Sequence, residues 1–274
     1  MRDGWDAPRD ITLVRDNISH RTIKSFQLEP GFGYIRIINF LGTTNADFAN
    51  VLQQINTNAS IEGLIIDLRY NPGGLLNQSL SIADFFLNTG VIAKTDGRVK
   101  SDNKTYYARP RTLLSDYPIV VLINDGSASG SEVVASALRT HHKAVLVGER
   151  TFGKGFIQTI FPTQSGGALR ITTSMLLTPD EKRIQDVGIN PDLIMPKPAL
   201  DYELPGHDET RLPTLTLGAT RDDPAVKLGL EILKRSLLLQ DASEEELENL
   251  SPEQAAMVKR FNGLQNALQE IGRR

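Results

Sequence analysis

The chain has 274 residues, a hydrophobic fraction of 40%, a formal net charge of −3 and no cysteine. Its length allows one large domain, alone or with appendages. The small net charge and the scattered lysines and arginines argue against a nucleic-acid partner. The absence of cysteine excludes disulfides, zinc–thiolate sites and a cysteine nucleophile. Four separated histidines do not indicate a metal site, and no apolar run reaches the roughly 20 residues that span a bilayer.

The N-terminal part of the chain predicts strands that alternate with helices. Strand patterns occur at residues 10–16, 33–40, 63–69 and 91–94, and helical spacing occurs at residues 45–57 and 75–87. The turn Asn71-Pro72-Gly73-Gly74 separates the third strand from the second helix. Residues 96–114 are polar and indicate a loop or a short hairpin. Further strands are predicted at residues 156–161 and 168–177.

A strand–helix–strand unit contains the serines. Residues 119–123 form a short β-branched run, and small residues then lead into a helix that begins near Ser129. Residues 144–149 return as a strand, and strands joined through such a crossover run parallel. Their C-terminal ends therefore share one edge with the strand at 63–69. We expect Lys154 to lie level with Ser129 and the glycine turn, on the edge where parallel sheets hold their sites.

These three loops together suggest nucleophilic catalysis. A serine hydroxyl is a weak nucleophile until a base removes its proton, and lysine is such a base only where burial favours its neutral form. Glycines flank Lys154 on both sides and permit close packing. The amides of Gly73 or Gly74, together with that of Gly130, are placed to hold the oxyanion of a tetrahedral intermediate.

The motifs resemble those of the C-terminal processing (tail-specific) peptidases, which use a Ser/Lys dyad. The serine loop at 126–132, the Thr-Phe-Gly-Lys-Gly turn at 151–155 and the separation of 25 residues between Ser129 and Lys154 are similar to the family's. The turn at 71–74, Thr178-Pro179 and the segment at 188–192 resemble further landmarks. The resemblance covers roughly residues 8–195.

This resemblance implies an α/β fold of the crotonase/ClpP-like type with a mixed sheet. It implies Ser129 as the nucleophile, Lys154 as the general base and Gln158 as the residue that orients the lysine. The implied activity is endopeptidase cleavage near protein C-termini through an acyl-enzyme, without a metal or cofactor. The implied partners are proteins with unfolded C-terminal tails and an activator or adaptor protein.

Three positions depart from the family's pattern. Gly130 stands where alanine is more frequent, which keeps the amide but gives the loop more freedom. Thr140 occupies a position where some members have an acidic residue. Asp180-Glu181 replaces a small, glycine-containing turn. None of these changes removes the predicted dyad.

We expect four segments. Residues 1–31 resemble the end of a PDZ module with a linker strand, 32–196 the protease core, 197–221 a linker, and 222–274 a C-terminal pair of helices. A heptad-like spacing in the last helix is compatible with packing on the core and with homo-oligomer formation. The first residues do not form a signal peptide. Since the family resemblance implies the bacterial periplasm or cell envelope, we expect a piece that begins mid-protein.

Other chemistries fit the sequence less well. Residues 148–154 nearly match a phosphate-binding P-loop, but Gly155 lacks a hydroxyl and a strand pattern follows where that motif needs a helix. A Ser/His/Asp triad would need His141 or His142, at the far end of a helix about 18–20 Å from the serine. Ser127 and Ser131 compete with Ser129 as nucleophile, and only the family alignment selects Ser129.

Non-catalytic roles are open both for one residue pair and for the whole chain. Asp67 and Arg69 end a buried strand, which favours a structural ion pair over a catalytic role. The chain as a whole has two alternatives to an enzyme. One is a non-catalytic peptide-binding or scaffolding relative, and the other is an oligomerisation protein that uses the C-terminal helices.

Overall fold

The computed structural model describes residues 10, 12–14, 16, 21–58, 60–110, 117–195, 220–239 and 252–272. Within these ranges, ten strands form two sheets and five α-helices accompany them. The strands are β1 (Ile23–Glu29), β2 (Phe32–Ile37), β3 (Gly63–Asp67), β4 (Val91–Gly97), β5 (Lys104–Tyr107), β6 (Ile119–Ile123), β7 (Ala144–Gly148), β8 (Phe156–Pro162), β9 (Ala168–Leu177) and β10 (Leu193–Ile194). The helices are α1 (Thr44–Asn58), α2 (Leu76–Asp84), α3 (Gly130–Thr140), α4 (Pro224–Leu238) and α5 (Pro252–Gly272). None of the helices in the described ranges has the length and apolar character needed to cross a bilayer.

The main sheet has six strands in the order β1-β2-β3-β6-β7-β10. β1 pairs antiparallel with β2, and the other neighbours pair parallel. The second sheet is antiparallel, with the order β5-β4-β9-β8, so that β8 lies at its edge. This mixed sheet with helices confirms the predicted α/β class.

The central strands are apolar throughout because helices cover both faces of the main sheet. Alternate residues point to opposite faces. On one face Leu64, Ile66 and Val121 pack with helices α1, α2 and α3, and on the other face Ile65 and Val120 pack with α4 and α5. All five of these side chains are fully buried. The sheet is therefore the middle layer of three.

The C-terminal helices α4 and α5 form the third layer. Leu233, Leu264 and Leu268 belong to the same buried cluster as the sheet residues. Gly229 permits the close approach, since a Cβ there would lie 2.9 Å from Cδ1 of Ile65. The apolar spacing of both helices is used at least in part for packing on the core.

We expect Leu233→Ala to lower the free energy of unfolding by about 2–5 kcal/mol, because it leaves a cavity between α4 and the sheet. Leu238 lies on the same helix and is 83% exposed, so Leu238→Ala serves as the control, with an expected change within about 0.5 kcal/mol. Urea unfolding of both variants measures the difference. Equal stability of the two variants would show that α4 is not part of the core.

The strand predicted at residues 10–16 is wrong for the residues described there. Residues 10, 12–14 and 16 are not in a strand, and Leu13 and Val14 are each 86% exposed. The alternating pattern alone does not form a strand, because a strand needs a neighbour and a buried face. The first strand is instead β1. The predicted linker at 197–221 lies almost wholly outside the described residues.

Candidate active site

Three loops meet at the C-terminal edge of the main sheet. Each follows one of the parallel strands β3, β6 and β7. The Ala128 amide donates to the Asn71 carbonyl at 2.9 Å, which joins the first loop to the second. The Phe152 amide donates to the Ser127 carbonyl at 3.0 Å, which joins the second to the third. The site is therefore built from backbone contacts between segments distant in sequence.

Ser129 has an unusual backbone conformation, with φ 55° and ψ −109°. Residues other than glycine seldom adopt a positive φ, and such strain is concentrated at functional sites. The residue stands at the sharp turn between strand β6 and helix α3, and its side chain is only partly buried. A strained strand-to-helix turn is the device by which α/β-hydrolases expose their serine.

The two competing serines have structural roles. Ser127 is fully buried and donates its hydroxyl to the Leu68 carbonyl at 2.8 Å. Ser131 is also fully buried and donates to the Asn71 carbonyl at 2.9 Å. Both hydroxyls thus fasten the serine loop to the loop that follows β3. Of the three, only Ser129 is partly exposed to solvent.

Glu132 connects the serine to the lysine. Its fully buried carboxylate accepts four hydrogen bonds. Oε2 accepts from the amides of Ser129 at 2.7 Å and Lys154 at 2.9 Å, and Oε1 accepts from the Thr151 hydroxyl at 2.6 Å and the Gly153 amide at 2.8 Å. One oxygen atom therefore separates the backbone of the predicted nucleophile from that of the predicted base.

Glu132 is not among the site residues predicted from the sequence. The spacing Ser-x-x-Glu at a helix start is a capping-box signal, and it would have predicted the bond from Glu132 to the Ser129 amide. The three bonds to the lysine turn have no such local signal, because they cross from helix α3 to the loop after β7. They are visible only in the folded chain.

The glycine turn lies directly against Ser129. A Cβ on Gly73 would lie 2.7 Å from the Ser129 Cβ, and one on Gly74 would lie 2.2 Å from the Phe40 carbonyl oxygen. Both glycines have positive φ, 96° and 146°. No other residue fits at these two positions without moving the backbone.

The oxyanion candidates differ in how their amides are used. The Gly73 amide donates to Oδ1 of Asn71 at 2.9 Å, so it is already occupied. Within the described part of the chain, the amides of Gly74 and Gly130 donate no hydrogen bond. Gly74 and Gly130 are therefore the two candidates with free donors, and the role of Gly73 is to let the serine loop approach.

The side chains of the predicted dyad are not bonded to each other. Lys154 is exposed, and its Nζ makes no hydrogen bond or ion pair with any residue that the structure describes. Gln158 lies in strand β8, where it pairs with Thr172 of β9 and is exposed. The fold thus brings the lysine turn to the serine through Glu132, while Lys154 Nζ and the side-chain amide of Gln158 have no polar partner among the described residues.

Residues 185–189 also hold the lysine turn, through three hydrogen bonds. The Asp186 amide donates to the Gly153 carbonyl at 2.9 Å, and the Gly155 amide donates to Oε1 of Gln185 at 2.9 Å. The Thr151 amide donates to the Ile189 carbonyl at 3.0 Å. The backbone of the turn is therefore held on two sides, by Glu132 and by residues 185–189.

Asp67 and Arg69 form an ion pair of 2.7 Å at the end of β3. Tyr34 also donates its hydroxyl to Asp67 at 2.7 Å. Burial, and then the charge of Asp67, raise the pKa of Tyr34. Burial by itself would lower the pKa of Arg69, but the charge of Asp67 and the hydrogen bonds to Asp67 and Asp223 raise it. The Arg69 guanidinium therefore stays charged beside Asp67, just before the glycine turn.

Comparison with known proteins identifies the fold and the family together. The family model described as Peptidase family S41 matches residues 31–195, which include all three loops. This chain belongs to peptidase family S41. The S41 match ends at residue 195, so the C-terminal helices α4 and α5 lie outside it.

Several S41 relatives are similar to the chain. A carboxy-terminal-processing protease of Bartonella bacilliformis is 42% identical over 212 residues, which cover 76% of this chain and 48% of that protein. A carboxyl-terminal-processing protease of Synechocystis is 36% identical over 204 residues, 73% of this chain and 47% of that protein. The solved structure of the photosystem II D1 C-terminal processing protease matches with a TM-score of 0.58 and 29% identity. That match covers 66% of this chain and 50% of the chain of the solved structure. The chain spans about half the length of the curated relatives it matches.

Two departures from the S41 pattern have structural counterparts. Gly130, which we expected to give the loop more freedom, is buried, and a Cβ there would lie 3.0 Å from the Phe40 ring and 3.1 Å from the Ser79 Cβ. Phe40 and Ser79 therefore already pack against the position that an alanine methyl would take. Glu181 takes the positive φ of 64° that a glycine would adopt, and it forms an ion pair with Lys94.

Proposed function

We propose that the chain is the proteolytic part of a serine endopeptidase that cleaves protein substrates near their C-termini. The observation that carries this proposal is the Glu132 carboxylate, which holds the strained nucleophile turn at Ser129 and the lysine turn at Lys154 against each other. A purely structural loop would not need a strained serine with an accessible hydroxyl. The family membership supports the same conclusion.

The proposed reaction uses groups already at the sheet edge. Lys154 in its neutral form takes the proton from the Ser129 hydroxyl, and the serine oxygen attacks the substrate carbonyl. The free amides of Gly74 and Gly130 stabilise the oxyanion of the tetrahedral intermediate. The lysine then gives its proton to the leaving amine, and water hydrolyses the acyl-enzyme by the same steps. Gln158 is proposed to orient the amine once substrate is bound.

An extended, unfolded peptide is the substrate form that suits the site. Strand β8 lies at the edge of its sheet and begins two residues after Lys154. A peptide that pairs with such an edge is held by its backbone, whatever its side chains. The exposed apolar residues Phe156 and Ile160 on β8 offer contact to apolar substrate side chains. A bound peptide would also cover the Lys154 amine, and exclusion of water favours the neutral form of an amine.

The alternative is a non-catalytic peptide-binding relative of the same fold. One observation favours it, namely that the Lys154 side chain is exposed and not bonded to Ser129. In an enzyme the same observation describes a resting state, because catalytic hydrogen bonds often form only with substrate. The two candidates differ in whether peptide binding leads to cleavage.

Turnover of an unfolded protein with an apolar C-terminal tail separates the two candidates. We expect wild type to cleave it, and Ser129→Ala and Lys154→Ala to lose at least about 10³-fold in kcat/KM while still binding the tail. Ser127→Ala is unsuitable as a control because Ser127 is buried, so Ser165→Ala, in the β8–β9 turn, is the matched serine change. Equal cleavage by all variants would overturn the assignment. Tail binding without cleavage by wild type would favour the binding protein.

The remaining proposals concern the setting of the enzyme. We propose a bacterial periplasmic or envelope address, substrates with unfolded tails, and regulation by an activator or adaptor protein, on the basis of the bacterial relatives. Self-association through the C-terminal helices is proposed only for surfaces that α4 and α5 do not use against the sheet. Sedimentation of the whole chain, and of a variant in which the exposed Leu238 of α4 is changed to Asp, tests that point.

A further inference from the structure

A string of charged side chains joins helix α4 to the glycine turn. Asp223 caps the N-terminus of α4 and accepts from the Ala225 amide at 2.8 Å. Its two carboxylate oxygens also receive the Arg69 guanidinium, at 3.2 Å and 3.0 Å. The other side of that guanidinium is bound to Asp67. A residue beyond the family match therefore contacts the arginine that precedes the active-site turn.

The contact is built to be rigid. The Arg69 and Asp223 side chains are 14% and 9% exposed, so water screens the pair only weakly. Paired, two-bond contacts between arginine and a carboxylate fix orientation as well as distance. The capping bonds fix Asp223 to α4, whose apolar face is packed on the sheet. Helix α4 thus holds the Arg69 guanidinium in a fixed position through Asp223.

The string continues from Arg69 into the loop that contains the glycine turn. The Arg69 amide donates to Oδ1 of Asp67 at 2.9 Å, and its carbonyl accepts from Arg36 at 3.2 Å. The next residue, Tyr70, has a positive φ of 57°, which is strained for a non-glycine residue. Gly74, with its free amide, follows four residues later. A shift of Arg69 would be passed to this loop along a short stretch of backbone.

We propose that Asp223 is a positioning residue for catalysis, which fixes Arg69 and through it the loop that supplies the Gly74 amide. This inference rests on the proposed peptidase function. It makes helix α4 a part of the catalytic apparatus as well as a cover for the sheet. Misplacement of catalytic groups by about 1 Å costs up to about 10²-fold in rate, so a modest shift of the loop is measurable.

Two adjacent aspartates provide the test in the full chain. Asp223→Asn keeps an oxygen for the helix cap but loses the charge that faces Arg69. Asp222→Asn is the control, because Asp222 is 92% exposed and pairs only with Lys227 among the ion pairs described. We expect Asp223→Asn to lower kcat about tenfold or more with KM unchanged. We expect Asp222→Asn to behave as wild type.

Hydrogen exchange of the amides in residues 69–75 gives a readout that does not need activity. We expect faster exchange there in Asp223→Asn, with unchanged exchange in the strands β6 and β7. Wild-type kcat and wild-type exchange in this loop would overturn the proposal. Faster exchange across the whole sheet would also overturn it, since that result describes general destabilisation. If wild type has no turnover, the peptidase assignment fails, while the exchange comparison still decides the coupling.

Discussion

Glu132→Gln is expected to lower kcat about 100-fold and the free energy of unfolding by about 2–4 kcal/mol. The carboxylate accepts from three backbone amides and the Thr151 hydroxyl, two donors on each oxygen. An amide has one oxygen, so its NH₂ group would face at least one buried N–H donor. Each donor left without an acceptor costs about 1–3 kcal/mol. The backbone of Ser129 or that of the lysine turn must then move.

Urea unfolding and turnover of an unfolded tail-bearing protein measure the two effects separately. Glu62→Gln is the control, since it makes the same change at an exposed residue directly before β3. Its stability should change by less than about 0.5 kcal/mol, with wild-type kcat. A Glu132→Gln variant with wild-type kcat would show that the carboxylate does not position the dyad.

Gly73→Ala is expected to abolish turnover and to destabilise the fold by about 2–5 kcal/mol. Its new Cβ would lie 2.7 Å from the Ser129 Cβ, 2.8 Å from the Ala128 carbonyl oxygen and 2.9 Å from the Gly130 amide. Two of these are backbone atoms that cannot rotate away. The glycine turn and the serine loop must therefore separate, which moves Ser129 away from the oxyanion donors.

Gly166→Ala distinguishes the steric effect from the cost of a positive φ. Gly166 has φ 82°, similar to the 96° of Gly73, but a Cβ there would meet nothing within 4 Å. This variant should lose only about 1 kcal/mol and retain activity, because it pays backbone strain without a clash. If Gly73→Ala resembled Gly166→Ala in both measurements, the close approach of the two loops would have no catalytic role.

Most of the main sheet is predictable from the sequence because its strands are buried on both faces. The runs at residues 63–69, 119–123 and 144–149 correspond to β3, β6 and β7 to within two residues. Such runs leave little choice of structure, since a continuous apolar segment bounded by turns must be covered. The alternating pattern at residues 10–16 misled because it has no partner strand in the described chain. The alternating pattern indicates which side chains of a segment could be buried, but a neighbouring strand or helix is needed to bury them.

The site was predictable to the level of its loops but not of its contacts. Ser129, Lys154 and the glycine turn follow from parallel strands whose C-terminal ends share an edge. The residue pattern did not separate Ser129 from Ser127 and Ser131, and the family resemblance selected it. The hydrogen bonds of the buried Ser127 and Ser131 support that selection, and they depend on how the loops pack. Likewise, the sequence does not show that the Gly73 amide donates to Asn71 while the amides of Gly74 and Gly130 have no acceptor among the described residues.

The amino-acid sequence by itself determined the α/β class, the order of the strands along the chain and the three loops that carry the candidate dyad and the glycine turn. These properties depend on local periodicity and on the handedness of crossovers, which act over short stretches of chain. Only the tertiary structure decided that Glu132 joins the serine turn to the lysine turn and that Asp223 of α4 reaches Arg69. Those contacts join residues 22 and 154 positions apart. Periodicity has no bearing at such separations, and packing alone brings the charges together.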